Sequence, residues 1–325
     1  MKAILIKEFG GVDQLYLGQS PRPSIQKNQV LIKVAAAALN RADLLQRKGL
    51  YPPPPGASEI LGLEVAGTIV DAHDNNSHLL GTRVMALLSG GGYAEYVAVH
   101  KDLTLPVPSS LEVEAAAGIM EAFVTGWQAL VWTGKLKANE SVLIHAGASG
   151  VGTACIQLAK KIGAKDIFTT VSKAKQELCR DLGADFLIDY KSQNFEEVIS
   201  KNSKNNIDLI IDFIGNPYWE QNLKSLAVDG RMVLLGMLGG MRPMELSLAP
   251  VLFKRLNIQG STLRSRSLEY RSQLVRDFNQ NCYPDLMSGK LRPVIDLVTG
   301  WKNVKQAHQR MENNQNMGKI ILKID

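Results

Sequence analysis

Two rhythms of apolar and polar positions divide the chain. Up to about residue 120, short β-rich runs at 2–7, 29–34, 64–71, 83–88 and 93–100 are separated by Gly, Pro and polar breaks, which predicts a compact, mostly antiparallel, barrel-like domain. From residue 141 the rhythm changes to near-continuous apolar strands, at 141–146, 167–171, 186–188, 207–213 and 231–236, alternating with helical stretches at 151–162, 173–182 and 218–226. Strands that are apolar on both faces need cover on both faces, so these predict a parallel sheet flanked by helices, a doubly wound nucleotide-binding domain. The mainly apolar segment 112–130 predicts a helix bridging the two domains. A helix at 304–312 and a strand at 318–324 predict a return to the first domain, which is then discontinuous, 1–122 with 268–325 around 123–267.

The first strand of the second domain runs without a break into Gly147, Ala148, Ser149, Gly150, Val151 and Gly152 and then into a helix. A strand, a glycine turn and a helix start in succession make a seat for a pyrophosphate, because the glycines let the backbone approach and the helix N-terminus presents unpaired N–H groups. The loop departs from G-x-G-x-x-G by carrying Ser149 at the middle glycine, where a hydroxyl could add a bond to a phosphate oxygen. An NAD site places an acidic residue about 20 residues past the glycines. Here that region reads Thr169-Thr-Val-Ser-Lys-Ala-Lys175, without a carboxylate. Ser172 and Lys175, with Lys173 nearby, suit the 2′-phosphate of NADP, and lysines in a first helical turn oppose the macrodipole and so lack a local structural reason. NADPH is the expected cofactor. Ile214 with Gly215, and Met237, Leu238 and Gly239, follow the fourth and fifth strands, where a dinucleotide lies, although apolar side chains there are also read as core.

Composition narrows the classes. The 37 Lys and Arg against 31 Asp and Glu, a net charge of +6, are scattered. The tightest basic group, Lys254 and Arg255 with Arg264 and Arg266, reads as a solvated or subunit-facing patch rather than a nucleic-acid site. No segment has the length and apolarity of a membrane span, and the first residues lack the apolar run of a secretory signal, so a reducing, cytoplasmic setting is expected. Cys155, Cys179 and Cys282 are far apart, which argues against disulfides and structural zinc. His145, within the strand before the glycine loop, reads as a satisfied core residue. No Ser-His-Asp arrangement is visible, and Ser149 lacks the nucleophile-elbow context of a hydrolase.

The order of these parts, with Asn40-Arg-Ala-Asp43, Lys48-Gly-Leu-Tyr-Pro52, Leu61-Gly-Leu-Glu64, Ala146-Gly-Ala-Ser-Gly-Val-Gly152 and Gly318-Lys319, resembles the quinone oxidoreductases of the medium-chain dehydrogenase/reductase superfamily over essentially the whole chain. The runs Tyr218-Trp-Glu220, Leu252-Phe-Lys-Arg255 and Leu263-Arg-Ser-Arg266 are most similar to its p53-inducible branch. The resemblance implies a GroES-like, mostly β catalytic domain, a Rossmann domain, a cleft between them and a homodimer. It places the Thr125 hydroxyl near the nicotinamide, with a local helix hydrogen bond as the alternative. Tyr190 falls near the adenosine phosphate or in the core, and Ser265 and Lys319 join the cofactor contacts.

Zinc alcohol dehydrogenases of the same superfamily need Cys, His and Glu ligands. Here the first 154 residues contain no cysteine, and the usual Gly-His-Glu segment reads Gly62-Leu63-Glu64, so no catalytic zinc is expected. In the substrate cleft, the Asn40 amide could hold a substrate carbonyl or the cofactor ribose, or cap the helix at 41–47. Tyr51 could offer a ring face and a phenolic donor, or anchor the stiff Pro52 to Pro55 segment. A second tyrosine of one related pattern is absent, since Leu45 and Gln46 stand there. The expected activity is NADPH-dependent, zinc-independent reduction of quinones or related activated carbonyls by direct hydride transfer. A medium-chain enoyl-thioester or alkenal reductase is the same-fold alternative, and a non-enzymatic NADPH- or RNA-binding protein the lower-ranked one.

Overall fold

Residues 1–240 and 247–324 are described by the computed structural model, residues 74 and 75 by their backbone alone. The chain forms two compact units, unit 1 of Met1–Val124 with Leu263–Asp325 and unit 2 of Thr125–Thr262. In order, unit 1 contributes β1 (Lys2–Ile6), β2 (Leu15–Gln19), β3 (Gln29–Ala38), α1 (Arg41–Arg47), β4 (Glu64–Ala72), β5 (Arg83–Leu87), β6 (Tyr96–His100), β7 (Thr104–Pro106) and α2 (Val113–Ala116). The division falls inside α3 (Met120–Trp127). Unit 2 then holds β8 (Ser141–Ile144), α4 (Gly150–Ile162), β9 (Asp166–Thr170), α5 (Gln176–Asp181), β10 (Phe186–Ile188) and α6 (Phe195–Asn202). It continues with β11 (Ile207–Asp212), α7 (Trp219–Ser225), β12 (Leu226–Leu234), α8 (Ala249–Phe253) and β13 (Asn257–Gly260). Unit 1 resumes with α9 (Leu268–Met287), β14 (Ile295–Gly300), α10 (Val304–Glu312) and β15 (Lys319–Lys323).

In unit 1 the strands run β14-β15-β3-β4-β5-β7, with β6 on the early part of β3. All pair antiparallel except β14 with β15. β3 continues four residues past the 34 expected from pattern, because its alanines, weak strand formers alone, pair with β4 on one side and β15 on the other. Since Ala37 faces Val65 and Ala38 faces Ile321, the end of β3, the start of β4 and the start of β15 meet at one edge. That register brings Asn40, Glu64 and Lys319 together.

The single helix expected over 112–130 is broken into α2 and α3, followed by a π-type turn at Gln128–Thr133. Gly118, at the break, leaves no more than 3.3 Å between an added Cβ and Lys319. The chain rejoins unit 1 at Leu263, before the expected 268. The reason is local: the Arg264 guanidinium donates to Ser89 O at 2.8 Å and Gln46 Oε1 at 2.7 Å. The long helix α9 was not expected, since Pro284 interrupts its pattern, yet it buries Leu274, Val275, Phe278, Cys282 and Leu286 along one face.

Unit 2 is a six-stranded sheet in the order β10-β9-β8-β11-β12-β13, every pair parallel. Strand order reverses between β8 and β11, and the carboxyl ends at such a reversal are where ligands of these sheets bind. Leu143, Phe168, Ile188, Phe195, Ile210, Leu223 and Met232 pack one buried cluster of this unit. Replacing fully buried Leu143 of β8 by Ala is expected to cost about 3 kcal/mol. Urea unfolding of the Leu143→Ala variant measures it, and a loss under about 1 kcal/mol would contradict close packing at this strand.

Candidate functional site

In unit 2, β8 delivers the backbone to a turn at Ala146, which takes φ +50° although it is not glycine. A Cβ on Gly147 would meet Thr169 Oγ1 at 2.0 Å, and one on Gly152 would meet Ala146 O at 2.3 Å, so both positions tolerate only glycine. Ser149 is the N-cap of α4. Its Oγ accepts from Gly152 N at 3.0 Å, so the oxygen expected to serve a phosphate is engaged in starting the helix, and only the hydroxyl proton remains to donate. The N–H groups of Gly150 and Val151 have no intrahelical acceptor, as in any first turn. They form the anion seat that the sequence suggested.

A buried chain of hydrogen bonds fixes the turn. Asp212 accepts from Ile214 N at 2.7 Å and from Asn222 Nδ2 at 3.1 Å. The carboxylate only accepts, so Asn222 presents its NH2 there, and its Oδ1 accepts a hydrogen bond from His145 Nε2–H at 2.8 Å. His145 is thereby the Nε2–H tautomer, and its Nδ1 accepts from Thr170 Oγ1 at 3.0 Å. That oxygen in turn accepts from Ala146 N at 3.2 Å. Burial pushes the His145 pKa down, so the ring stays neutral. His145 is therefore the satisfied core residue expected, and it ties the glycine turn to the loop after β11.

The remaining unit 2 candidates are spread along the carboxyl ends of the strands. Ser172 opens the short turn Lys173–Lys175 after β9 without capping it through its hydroxyl, and Lys175 is half-buried beside it. Tyr190 is 47% exposed, and Met237 and Leu238 are 56% and 47% exposed. None of these three is core, so that alternative fails. The loop carrying Met237, Leu238 and Gly239 is pinned to the one carrying Ile214, by Leu238 N to Phe213 O at 3.0 Å and Gly239 N to Ile214 O at 2.9 Å. Thr125 Oγ1 is buried with no hydrogen-bond partner among the described residues, which removes the local helix bond as its explanation. A steric cradle only glycine fits, a helix N-terminus and an orphaned hydroxyl together fit a dinucleotide. Ser265 lies in unit 1, not in the dinucleotide-binding unit where it was expected.

Unit 1 gathers a second constellation. Glu64 and Lys319 are buried, with Lys319 Nζ 2.7 Å from Glu64 Oε1. Lys319 also donates to Leu39 O and Asn40 Oδ1, both at 2.7 Å. All three of its donors are in use inside unit 1, so the ammonium expected on the cofactor instead orients Asn40 and Glu64. The Asn40 amide is committed likewise, Nδ2 donating to Glu64 Oε1 at 3.1 Å and Ala38 O at 3.3 Å. Asn40 is the N-cap residue of α1, as the alternative reading had it, and its amide is not left to hold a substrate carbonyl. At the start of α1 the acceptor is Asp43 Oδ2, which takes Asn40 N at 2.8 Å. Asp43 also accepts from Gly62 N at 2.9 Å and from Tyr93 OH at 3.1 Å, while burial raises its pKa.

The second oxygen of Glu64 accepts from Glu121 N at 2.8 Å. Glu121, half-buried in the first turn of α3, was not singled out from sequence. Burial, the charge of Glu64 and that of Asp43 raise its pKa to about 8 against the opposing pull of Lys319 and Arg264, so it carries a proton at neutral pH. A signal was present, since Glu121 is the only charged residue between 115 and 134. Tyr51 is near enough for the Glu121 and Arg264 charges to act on its phenol, whose pKa rises mainly through burial. The Arg264 guanidinium stands 5.4 Å from the Tyr51 ring centre, and the Tyr51 hydroxyl has no hydrogen-bond partner among the described residues. Unit 1 thus presents a free phenol and a protonated carboxyl, backed by a charge network closed on itself.

Comparison with known proteins agrees with this two-part build. Residues 26–109 match the alcohol dehydrogenase GroES-like domain and residues 150–279 the zinc-binding dehydrogenase family. Over 99% of its length the chain is 31% identical to the quinone oxidoreductase of Rattus norvegicus, 97% of which it covers. It is 28% identical to the synaptic vesicle membrane protein VAT-1 homolog of Danio rerio over 99% of the chain and 69% of that protein. A mycobacterial protein solved in complex with NADPH superposes with a TM-score of 0.86 at 26% identity, 99% of each chain being covered. Unit 1 is a GroES-like domain, unit 2 is a Rossmann domain, and the chain belongs to the medium-chain dehydrogenase/reductase superfamily.

Proposed function

We propose that this protein reduces quinones with NADPH and without a catalytic metal. The observation that carries the reading is the state of Glu64. One of its oxygens faces the Lys319 ammonium and the Asn40 amide and the other takes the Glu121 N–H, so the donor set does not fit zinc. No group of three or more His, Cys, Asp or Glu among the described residues could hold a metal ion. Likeness to a quinone oxidoreductase and to an NADPH complex supports the substrate and cofactor classes.

Residues 147–152 and the start of α4 would hold the pyrophosphate, Ser172 and Lys175 the 2′-phosphate, and Thr125, Ile214, Met237 and Leu238 the nicotinamide end. When bound, the reduced cofactor supplies a hydride. Tyr51 orients the acceptor ring through its face and its phenol. Glu121 carries the proton that a hydroquinone oxygen needs once it has gained negative charge, and water restores that proton afterwards. A homodimer and a cytoplasmic location complete the reading. No helix among the described residues is long and apolar enough to cross a membrane.

Following NADPH oxidation with 1,2-naphthoquinone, a 2-alkenal and crotonyl-CoA tests the substrate class. The quinone should turn over fastest, and a clear preference for the enoyl thioester, or NADPH binding without turnover of any acceptor, would overturn the reading. Prolonged chelation with EDTA is expected to leave the rate within about twofold, since no step is assigned to a metal. In fluorescence titrations, Lys175→Ala should weaken NADPH by about tenfold or more, the worth of one charge-assisted contact, and leave NADH unchanged.

The wild-type kcat is expected to fall as pH rises through about 8, where Glu121 loses its proton to solvent. Glu121→Gln should lower kcat by about a hundredfold and abolish that limb, and Glu121→Asp should restore part of it. The groups acting on Glu121 are Glu64, Asp43, Lys319 and Arg264. Stability carries the same sign. The folded state keeps a proton that the unfolded chain releases near 4.5, so Glu121 makes stability decline from there up to about 8. Thermal melts of wild type and Glu121→Gln at pH 5 and 9 should therefore diverge in favour of the variant at the higher pH.

A further inference from the structure

Unit 1 contains a half-open cavity of about 680 Å³ whose wall includes Lys27, His100, Arg264, Arg266 and Arg271, and no Asp or Glu among the described residues. Two of these cations are placed where an unpaired charge is costly. Arg264 is only 4% exposed, and its hydrogen bonds reach uncharged oxygens alone, on Ser89, Gln46 and Tyr51. Arg271 donates from Nη1 to Ser89 Oγ at 2.6 Å, while its buried Nε has no partner among the described residues. Neither forms an ion pair within the described residues.

The acidic groups that act on them do not neutralise them. Asp43 acts on Arg264 but is committed to Asn40 N, Gly62 N and Tyr93 OH. Glu121 acts on both, and it holds a proton at neutral pH. Arg271 also lies in the first turn of the 20-residue α9, capped by Ser267, where the helix macrodipole disfavours a cation. No local structural gain explains it there. A guanidinium that is partly buried, opposed by the macrodipole, without an ion-pair partner and lining an acid-free cavity has the makings of a recognition group for an anion.

We propose that this cavity binds the anionic group of a small-molecule substrate, a sulfonate, carboxylate or phosphate, with Arg271 as the forked contact and Arg264 as the field behind it. Arg264 also donates to Tyr51 O at 3.4 Å and stands over its ring, so the anion site and the phenol of the proposed reductase site share one side chain. Insofar as it names the substrate, this rests on the quinone reductase reading: the preferred acceptor is an aromatic electrophile carrying an acidic substituent.

Binding is tested apart from turnover on the NADP⁺-saturated protein, in which the glycine-loop phosphate seat is filled. Calorimetry should show naphthalene-2-sulfonate binding at least tenfold more tightly than 2-naphthol. Arg271→Gln should abolish the difference, and Arg271→Lys, which keeps the charge but not the fork, should retain part of it. In the kinetic arm, the KM of phenanthrenequinone-2-sulfonate should lie about tenfold below that of phenanthrenequinone in wild type, and the ratio should approach one in Arg271→Gln. Equal affinity for sulfonate and naphthol in the wild type, or a preference that survives in Arg271→Gln, overturns the anion site. If the sulfonate preference holds in calorimetry while neither quinone is reduced, the anion site stands and the quinone reading falls.

Discussion

The Glu64 carboxylate is fully buried, and much of unit 1 answers the cost of keeping that charge out of water. The sheet register supplies the answer. Because β3 ends where β4 and β15 begin, Lys319 and Asn40 arrive at one oxygen of Glu64 without any long side chain having to reach across the domain. The other oxygen is met by the backbone at the start of α3. A charge so enclosed cannot be relieved by moving, and removing either partner would strand the other in a region without water.

That arrangement has consequences beyond itself. The next carboxyl in line, Glu121, is itself desolvated by burial and faces two negative neighbours, Glu64 and Asp43, so it keeps its proton against the pull of Lys319 and Arg264. A protonated Glu121 in turn offers no countercharge to Arg264 and Arg271. The cavity wall that carries both arginines therefore keeps its positive charge. Unit 2 meets the same difficulty at Asp212 differently. There the charge is dispersed through neutral donors, Asn222, His145 and Thr170, and the chain ends on the backbone of Ala146. One solution leaves a titratable group in play, and the other yields a rigid turn.

The parts of this protein that depend on local periodicity were legible in the sequence. The alternation of apolar strands and amphipathic helices in unit 2 follows from burial on both faces, and its strand order is the one that such units adopt. What could not be read is what tertiary register decides. Asn40, Glu64 and Lys319 are separated by 24 and 255 residues, and no pattern reports that their side chains use each other up. Residue type alone therefore puts Asn40 and Lys319 among the ligand contacts, whereas the register makes them a support. The same limit hid Glu121, an ordinary glutamate until its neighbours are known, and it placed Ser265 in the wrong unit, because the return of the chain is fixed by where the Arg264 side chain is held. Thr125, Tyr190, Met237 and Leu238 ran the other way, since the bland core or helix readings that competed with function are removed by their exposure or their lack of a partner.

Membership in a superfamily that includes zinc enzymes does not decide the chemistry, since a fold is shared while a ligand set is not. The matched families describe a scaffold of sheet and glycine loop, and that scaffold is intact here. What distinguishes this chain is what has become of the carboxylate at the start of β4. A metal ion would need Glu64 to turn at least one oxygen outward and to be joined by soft or imidazole donors. Instead an ammonium lies 2.7 Å away, and the tripeptide before β4 has leucine where an imidazole would stand. The ammonium stabilises the carboxylate as a divalent ion would, but it has no open coordination position from which to polarise a carbonyl. On the proposed reading electrophilic help comes from protons, with the half-buried phenol of Tyr51 and carboxyl of Glu121 as its sources in unit 1. Acceptors that become aromatic on gaining a hydride need only such modest help, and the proposed preference for a quinone over an unactivated ketone rests on that difference.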